Sequence, residues 1–305
     1  MPNSQRLAAD VIVLGAGIVG VSAALALQAQ GRRVCLVDQE DPGRGTSFGN
    51  AGLIERASLV PYAMPRDPGT VLRMATNTHS ALRFQWRALP WYARWLQRYW
   101  HESAPSPLAR ATEDMRPLIE RCVAEHQPLI NAAGLQSLVR SDGWIELFRG
   151  PQTFATEAAL ARTQAEHYGL AMEVLDAHAL QARLPALRPE GGISGGVHWQ
   201  DPWTVLSPFK LVQGYAHLFS SGGGDILRAD AMALQPADPG WLLPLPDGRS
   251  LHASDVVLAL GADTGALAEK FGYRLPLRPK RGYHLHFRID AEHPALPFPV
   301  CDSAS

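Results

Sequence analysis

The stretch VIVLGAGIVGVSAALALQAQGRRVCLVD, residues 11–38, decides the fold of this 305-residue chain. It begins with the apolar run VIVL, and three glycines follow at the spacing of a tight turn. Small and apolar residues then continue to Gly31, and a second apolar run ends at Asp38. Short β-branched runs are typical of strands buried on both faces, and the segment between them has the composition of a helix. The pattern predicts a strand, a turn, a helix and a second parallel strand.

The three glycines of GAGIVG, residues 15–20, have separate roles in such a unit. Gly15 permits the tight turn, Gly17 lets the backbone approach a pyrophosphate, and Gly20 lets the helix pack closely on the strand. The diphosphate would lie over the helix N-terminus, where unpaired N–H groups and the positive end of the helix dipole face it. Asp38 is placed to accept hydrogen bonds from a ribose. The unit therefore predicts a Rossmann-like dinucleotide-binding domain and leaves NAD and FAD open.

Composition excludes several other classes of protein. The chain is 46% hydrophobic, and its net charge of -1 gives no general electrostatic reason to bind nucleic acid. Its three cysteines, Cys35, Cys122 and Cys301, are far apart, which predicts neither a disulfide framework nor a zinc site. The uncharged run of residues 11–31 is long enough for a membrane span, but its glycine spacing favours the dinucleotide unit. We expect a protein of the reducing cytoplasm.

A second small-residue segment, GTSFGNAG at residues 45–52, lies beyond the glycine turn. Thr46 and Ser47 offer hydroxyls and backbone amides to an anionic diphosphate, while Gly49, Ala51 and Gly52 leave room for a planar ring. The alternative is an ordinary glycine-rich turn. An NAD enzyme has no need of this second cradle, so the segment favours a flavin.

With these motifs, the chain resembles the FAD-dependent oxidoreductases of the D-amino acid oxidase superfamily, and most closely the bacterial D-amino acid dehydrogenases. Two later segments carry the same resemblance: DVVLALGADTGALA, from residue 255, and PLRPKRGYHL, from residue 276. The resemblance implies that the cofactor is FAD, with residues 46–52 along the flavin diphosphate and the edge of the isoalloxazine ring. It also implies that Ala231, where the family usually has valine, lies beside the adenine, and that the strand ending at Gly261 passes under the diphosphate.

The predicted FAD-binding residues come from residues 11–38, from residues 45–52, from Ala231 and from the strand that ends at Gly261. They are Val13, Gly15, Ala16, Gly17, Ile18, Val19, Gly20, Asp38, Thr46, Ser47, Asn50, Ala51, Gly52, Ala231 and Gly261. No catalytic residue is assigned. No metal site is predicted, because His284 and His286 have no carboxylate or cysteine near them in the sequence.

The fold class predicted is α/β, with a discontinuous Rossmann-like FAD-binding domain at residues 1–64 and 200–275. A second, mixed-sheet α+β substrate domain is predicted at residues 65–199 and 276–305. Within it, residues 276–289 are expected to form a strand, since Tyr283, Leu285 and Phe287 alternate with more polar residues.

The stretch of residues 68–101 contains five arginines and four tryptophans but no acidic residue. On a helix, one face would carry Trp91, Tyr92, Trp95, Leu96 and Tyr99, and the other Arg94, Gln97 and Arg98. Two interpretations stay open: a helix that caps the active site with its aromatic rings in the core, or a basic amphipathic helix on anionic lipid, where a quinone could collect electrons.

The family's sequences continue into a G-L-R-P motif, whose arginine holds the substrate carboxylate, and into a glycine-rich segment over the flavin. This sequence ends in PVCDSAS and contains neither. We therefore expect a C-terminally truncated form of the fold, in which a substrate carboxylate lacks its bidentate arginine.

The function implied by the resemblance is oxidation of D-amino acids to 2-oxo acids and ammonia, by hydride transfer to the flavin. The implied partners are a small-molecule amino acid and a quinone or respiratory-chain electron acceptor, with no nucleic acid. The expected location is the cytoplasm, with peripheral contact at the inner face of the plasma membrane. The alternatives are a glycine- or sarcosine-type amine oxidase that uses oxygen, and a truncated, inactive FAD-binding remnant.

Overall fold

The computed structural model describes residues 6–78, 84–187, 191–279, 281–288 and 296–303. The chain divides into two compact units, each assembled from three segments. The first unit comprises Met1–Gly52, Gln127–Leu138 and Leu206–His284, and the second comprises Leu53–His126, Val139–Val205 and Leu285–Ser305. The domain boundaries given above stay a prediction.

The helices and strands of the described residues are labelled in chain order. The helices are α1 (Ile18–Ala29), α2 (Pro68–Ala75), α3 (Leu89–Glu102), α4 (Pro105–Ala132), α5 (Pro151–Tyr168), α6 (Ala177–Arg183), α7 (Pro208–Ser221) and α8 (Thr264–Lys270). The strands are β1 (Arg6–Ala8), β2 (Val11–Leu14), β3 (Val34–Asp38), β4 (Leu53–Ile54), β5 (Val139–Arg140), β6 (Trp144–Arg149), β7 (Met172–Asp176), β8 (Ile193–Trp199), β9 (Trp203–Val205), β10 (Asp225–Arg228), β11 (Gln235–Pro236), β12 (Trp241–Pro244), β13 (Ser250–Ala253), β14 (Asp255–Leu258) and β15 (Val300–Ser303).

A parallel sheet with the strand order β10-β3-β2-β14 forms the centre of the first unit. β2 is buried along its whole length. α1 and α7 pack against this sheet and each other, while Ile12 and Leu14 pack with the apolar side chains of β12, β13 and α8. Because both faces of the parallel sheet are covered, β2 is apolar at every position rather than at every second one.

A second sheet of the first unit has the order β1-β13-β12-β11. β12 and β13 form an antiparallel hairpin, with Asp247 and Gly248 in its turn. Gly248 has a φ of +84°, a left-handed conformation that glycine adopts without strain. α7 and α5 each begin at a proline, Pro208 and Pro151, whose fixed φ suits the first turn of a helix.

The second unit contains a mixed sheet, β15-β6-β8-β7, and a small antiparallel sheet, β4-β9-β5. In the mixed sheet, β6 pairs with β15 on one side and with β8 on the other. Its side chains alternate between two cores: Phe148 packs with the alanines of α5, and Ile145 and Leu147 pack with Leu180 of α6. The mixed sheet expected for the substrate domain is therefore present in this unit.

The predicted strand at residues 276–289 is wrong. Residues 281–288 have no strand or helix, and Tyr283, Leu285 and Phe287 are 88%, 78% and 80% exposed. An alternating pattern shows that one side of a segment is apolar, but a strand also needs a neighbouring strand for its backbone hydrogen bonds. Within the described residues, no strand pairs with this segment.

The predicted aromatic face of α3 needs one correction. Tyr92, Trp95, Leu96 and Tyr99 are half-buried, but Trp91 is 75% exposed and lies on the same side as the arginines. No described helix is both long and apolar enough to cross a membrane.

Candidate functional site

The predicted site residues of the first unit meet at one edge of its parallel sheet. The carboxyl ends of β2, β3, β10 and β14 all lie at this edge because the four strands are parallel. The turn of residues 15–17 follows β2, Asp38 ends β3, Ala231 follows β10 and Gly261 follows β14. In open α/β sheets, ligands bind at this edge.

The glycine turn is held by close backbone contacts. Gly15 has a φ of +104°, and an added Cβ there would lie 2.3 Å from the carbonyl oxygen of Ala259. A Cβ added to Gly20 would lie 1.7 Å from the carbonyl oxygen of Gly15. The fold of the chain itself therefore requires glycine at both positions.

Gly17 differs from the other two glycines. A Cβ added there would meet only Ser47 Oγ, at 3.5 Å, and the φ of Gly17 is an ordinary -73°. It is the N-cap of α1, it makes no side-chain capping bond, and the first turn of the helix has no acidic residue. Nothing in the described packing requires glycine here, whereas an anion approaching the helix N-terminus would.

Asp38 binds the glycine turn directly. Its Oδ2 accepts a hydrogen bond from Ala16 N–H at 2.6 Å, and its Oδ1 accepts one from Glu40 N–H at 3.0 Å. Each carboxylate oxygen has a second lone pair for another donor. The carboxylate therefore fixes the turn and still has acceptor capacity for a ribose hydroxyl.

The segment of residues 45–52 touches the N-terminus of α1. Ser47, which is 6% exposed, accepts a hydrogen bond from Ile18 N–H on its Oγ at 3.1 Å. Thr46 is exposed beside it in a single 3-10 turn. The two small-residue segments of the sequence are thus brought together, with one hydroxyl satisfying an N–H group of the helix end.

The rest of this segment is shaped locally. Asn50 Oδ1 accepts a hydrogen bond from Gly52 N–H at 2.9 Å, and Gly52 is buried with a φ of +71°. Gly49 faces the imidazole of His284, since a Cβ added to Gly49 would lie 2.3 Å from that ring. In this structure His284 occupies the space beside Gly49 that the sequence assigns to a planar ring. Ala51 is exposed.

The remaining predicted residues differ in their exposure. Val13 and Ala16 are buried, and Ile18 is half-buried. Val19 is 68% exposed, an unusual position for a large apolar side chain at the start of a helix. Ala231 is buried in a 3-10 turn, and Gly261 is exposed with a φ of +58°.

Charged and aromatic side chains near this edge supply contacts that the sequence alone did not reveal. The Arg44 guanidinium lies 5.7 Å from the ring centre of Phe48 and 4.9 Å from that of Phe209. The hydrogen bond from Arg228 lowers the pKa of the Asp41 carboxyl below its usual value. Near the opposite, amino end of β3, burial raises the pKa of the Cys35 thiol to about 12, so this cysteine is protonated and unreactive at neutral pH.

In the second unit, His198 is a structural residue. It is 5% exposed, and both ring nitrogens have partners: Nδ1 lies 3.0 Å from Arg183 and Nε2 lies 2.7 Å from the carbonyl oxygen of Asp142. Since the guanidinium and the carbonyl have fixed roles as donor and acceptor, the proton is on Nε2. Across the described ranges, no group of three histidine, cysteine or acidic side chains is arranged to hold a metal ion.

A helix N-terminus beyond a glycine turn, with an acidic residue at the end of the next strand, defines a dinucleotide-binding protein of the Rossmann-like class. Sequence comparison identifies the family. The model of the family described as "FAD dependent oxidoreductase" (DAO) matches residues 10–305, and the chain belongs to this family. Its cofactor is accordingly FAD, and its class is that of the FAD-dependent oxidoreductases.

Curated relatives of known name match most of the chain. A D-amino-acid oxidase from Bradyrhizobium diazoefficiens is 28% identical over 291 residues, which cover 93% of this chain and 66% of the relative. A D-amino acid dehydrogenase from Cereibacter sphaeroides is 31% identical over 286 residues, covering 92% of this chain and 65% of the relative. The chain thus spans about two thirds of the length of these relatives.

A solved structure shows the same fold. Glycine oxidase from Geobacillus kaustophilus superposes with a TM-score of 0.60 at 18% sequence identity, covering 87% of this chain and 59% of the oxidase. This structure confirms the predicted fold class, and the match to the family model confirms the predicted family.

The residues at the sheet edge fit the diphosphate and ribose of FAD, whereas His284 lies beside Gly49, where the flavin ring is predicted. The backbone at Gly17 is open to a diphosphate, since this N-cap residue of α1 has no side chain, and Asp38 retains acceptor capacity. Which of the predicted residues contact FAD stays a prediction.

Proposed function

We propose that this protein oxidises D-amino acids to 2-oxo acids and ammonia, using FAD bound at the carboxyl edge of the parallel sheet. The observation that carries the site is the 3.1 Å hydrogen bond from Ile18 N–H to Ser47 Oγ, because it joins the segment of residues 45–52 to the glycine turn. The substrate class is supported by the names of the curated relatives.

In this proposal the residues of the chain bind and orient the cofactor. Backbone N–H groups at the N-terminus of α1 hold the diphosphate, Asp38 accepts a hydrogen bond from the ribose, and Thr46 and Ser47 line the far side of the diphosphate. Ala231 and Gly261 border the adenine and the diphosphate. The chemistry that bound FAD would supply is acceptance of two electrons, as the hydride of the amino acid's α C–H; hydrolysis of the resulting imino acid would give the 2-oxo acid and ammonia.

The electron acceptor in this proposal is a quinone or another respiratory-chain component rather than oxygen. The protein would then work in the cytoplasm, with a peripheral contact at the inner face of the plasma membrane. We infer this from the relatives named as dehydrogenases and from the basic aromatic helix α3, whose surface is described below.

A spectroscopic experiment tests the proposal. The purified chain is supplied with FAD, and its visible spectrum is recorded without oxygen before and after addition of matched D- and L-amino acids. We expect a yellow protein that bleaches with D-amino acids only. A protein that cannot be loaded with FAD is the outcome expected of an inactive remnant, and it would reject the proposal for this chain.

The second candidate is a glycine- or sarcosine-type amine oxidase, because glycine oxidase has the same fold. Bleaching by sarcosine but not by D-amino acids would favour it. Under air, rapid reduction of a quinone-like dye with little peroxide indicates a dehydrogenase, and the reverse indicates an oxidase.

A further inference from the structure

The second unit carries a surface of arginine and tryptophan that faces solvent. No residue of α3 is buried, nor is any residue of the 3-10 turn that precedes it at Trp86–Ala88. Four of their side chains, Arg87, Trp91, Arg94 and Arg98, are spaced by four, three and four residues, which places them along one side of a helix. We call these four residues the arginine–tryptophan face.

The four side chains of this face are strongly exposed. Trp91 is 75% exposed, and the three arginine side chains are exposed as well. Among the described residues, no ion pair joins Arg87, Arg94 or Arg98 to an acidic side chain. The sequence from residue 68 to residue 101 contains no aspartate or glutamate, and the one acidic residue of α3, Glu102 at its last position, pairs with His101.

The opposite side of α3 holds the helix in place. Trp95 and Tyr99 are half-buried with their rings stacked 5.0 Å apart, and the Tyr99 hydroxyl donates to the carbonyl oxygen of Tyr62 at 2.8 Å. Arg66 lies 4.4 Å from the ring centre of Trp100 and donates to its carbonyl oxygen. These contacts account for part of the aromatic content of the helix, but they leave Trp91 and its flanking arginines without a partner in the described part of the chain.

A tryptophan among arginines suits one environment in particular. Tryptophan is enriched at the boundary between lipid headgroups and acyl chains, and basic side chains on the same helix are attracted to anionic headgroups. A tryptophan ring that stays exposed to water makes neither of these favourable contacts. Because the charge is unpaired and entirely positive, a negatively charged bilayer surface complements this face better than a neutral one.

We propose that the arginine–tryptophan face binds the surface of a bilayer that contains anionic lipids, with the arginines at the headgroup phosphates and Trp91 inserted just below them. This gives a residue-level contact for the peripheral membrane location proposed above. It rests on the contacts of α3 and not on the chemistry of the flavin site, so either proposal can fail while the other holds.

Vesicle flotation with the full 305-residue chain tests this proposal. One set of vesicles is phosphatidylcholine alone, and in the other part of it is replaced by phosphatidylglycerol. We expect flotation with the phosphatidylglycerol vesicles only, and binding that weakens as salt is raised. Changing Arg94 and Arg98 together to glutamate should weaken binding at least about tenfold, and Trp91→Ala should weaken it severalfold.

The matched control is the pair Arg110→Glu and Arg162→Glu, which makes the same change in net charge at exposed arginines of α4 and α5 in the same unit. This control should float as the unaltered chain does. Equal loss of binding in the control, or equal binding to both vesicle types, overturns the proposal. Binding of duplex DNA at the same salt without binding to vesicles would assign the face to a nucleic acid and would also overturn it.

Discussion

Asp38 and Ala16 are joined by a 2.6 Å hydrogen bond from the backbone N–H of Ala16 to the carboxylate oxygen Oδ2. The acidic residue at the end of the second strand therefore holds the glycine turn in shape before any ligand arrives. In the proposed site the same carboxylate also accepts a hydrogen bond from a ribose hydroxyl. One side chain therefore contributes both to the stability of the fold and to cofactor binding.

Changing Asp38 to asparagine should lower both stability and FAD affinity. The amide removes the charge that strengthens two backbone hydrogen bonds, and we expect the free energy of unfolding to fall by about 2 kcal/mol. Urea unfolding and FAD titration measure the two effects. Glu40→Gln, at the neighbouring exposed acidic residue, should change stability by no more than about 0.5 kcal/mol. Equal effects in the two variants would contradict the role assigned to Asp38.

Two glycine substitutions should separate folding from cofactor binding. Gly20→Ala places a methyl group against the Gly15 carbonyl oxygen, and we expect a loss of about 3 kcal/mol or failure to fold. Gly17→Ala meets only Ser47 Oγ at 3.5 Å, so the chain should fold with a loss of about 1 kcal/mol.

The same Gly17→Ala variant should bind FAD at least about tenfold more weakly, because its methyl group lies where the diphosphate approaches. FAD fluorescence quenching measures this affinity. Unchanged affinity for FAD in a folded Gly17→Ala protein would show that the diphosphate does not bind at the N-terminus of α1.

Ser47 and Thr46 should respond differently to alanine. Ser47→Ala leaves Ile18 N–H without its partner and should cost about 1.5 kcal/mol in the FAD-free protein. Thr46 is exposed, so Thr46→Ala should leave that stability unchanged and lower only the affinity for FAD. Chemical unfolding with and without saturating FAD distinguishes the two. If Thr46→Ala binds FAD normally, the Thr46 side chain does not contribute to the binding of FAD by residues 45–52.

Glu146 of β6 should make stability depend on pH. Burial raises the pKa of its carboxyl, with a further contribution from the nearby Glu157, while the hydrogen bond from Ser303 opposes the shift. The folded state thus binds the proton more tightly than the unfolded state, and the free energy of unfolding should fall as pH rises from the unfolded pKa to the raised one. Glu146→Gln should flatten this slope and increase stability at neutral pH. Unfolding curves from mildly acidic to neutral pH provide the test, and parallel curves for the two proteins would count against it.

The sequence predicts those parts of the fold that local spacing controls. β2, α1 and β3 follow from the glycine and apolar patterns of residues 11–38, and α5 follows from a proline at its start and Gly169 at its end. Gly169 has a φ of +62°, the left-handed conformation that ends a helix.

Features that depend on distant partners were not predictable in the same way. The pattern at Tyr283, Leu285 and Phe287 does not state whether a neighbouring strand exists. The contact of His284 with Gly49 joins two ends of the first unit, and no local spacing encodes it. The exposure of Trp91 depends on which side of α3 packs against the unit, which a helical pattern of aromatic residues leaves open.

The parallel sheet of the first unit also determines when that unit can form during synthesis. β2 and β3 come from the first forty residues, but their outer neighbours β14 and β10 come from residues 255–258 and 225–228. Until those residues leave the ribosome, the pair formed by β2 and β3 has an unpaired strand edge on each outer side. Exposed apolar strands with unpaired edges promote aggregation and chaperone binding of nascent chains. The parallel sheet is therefore completed only after residue 258 has emerged, although its sequence signature is the first part of the chain to be translated.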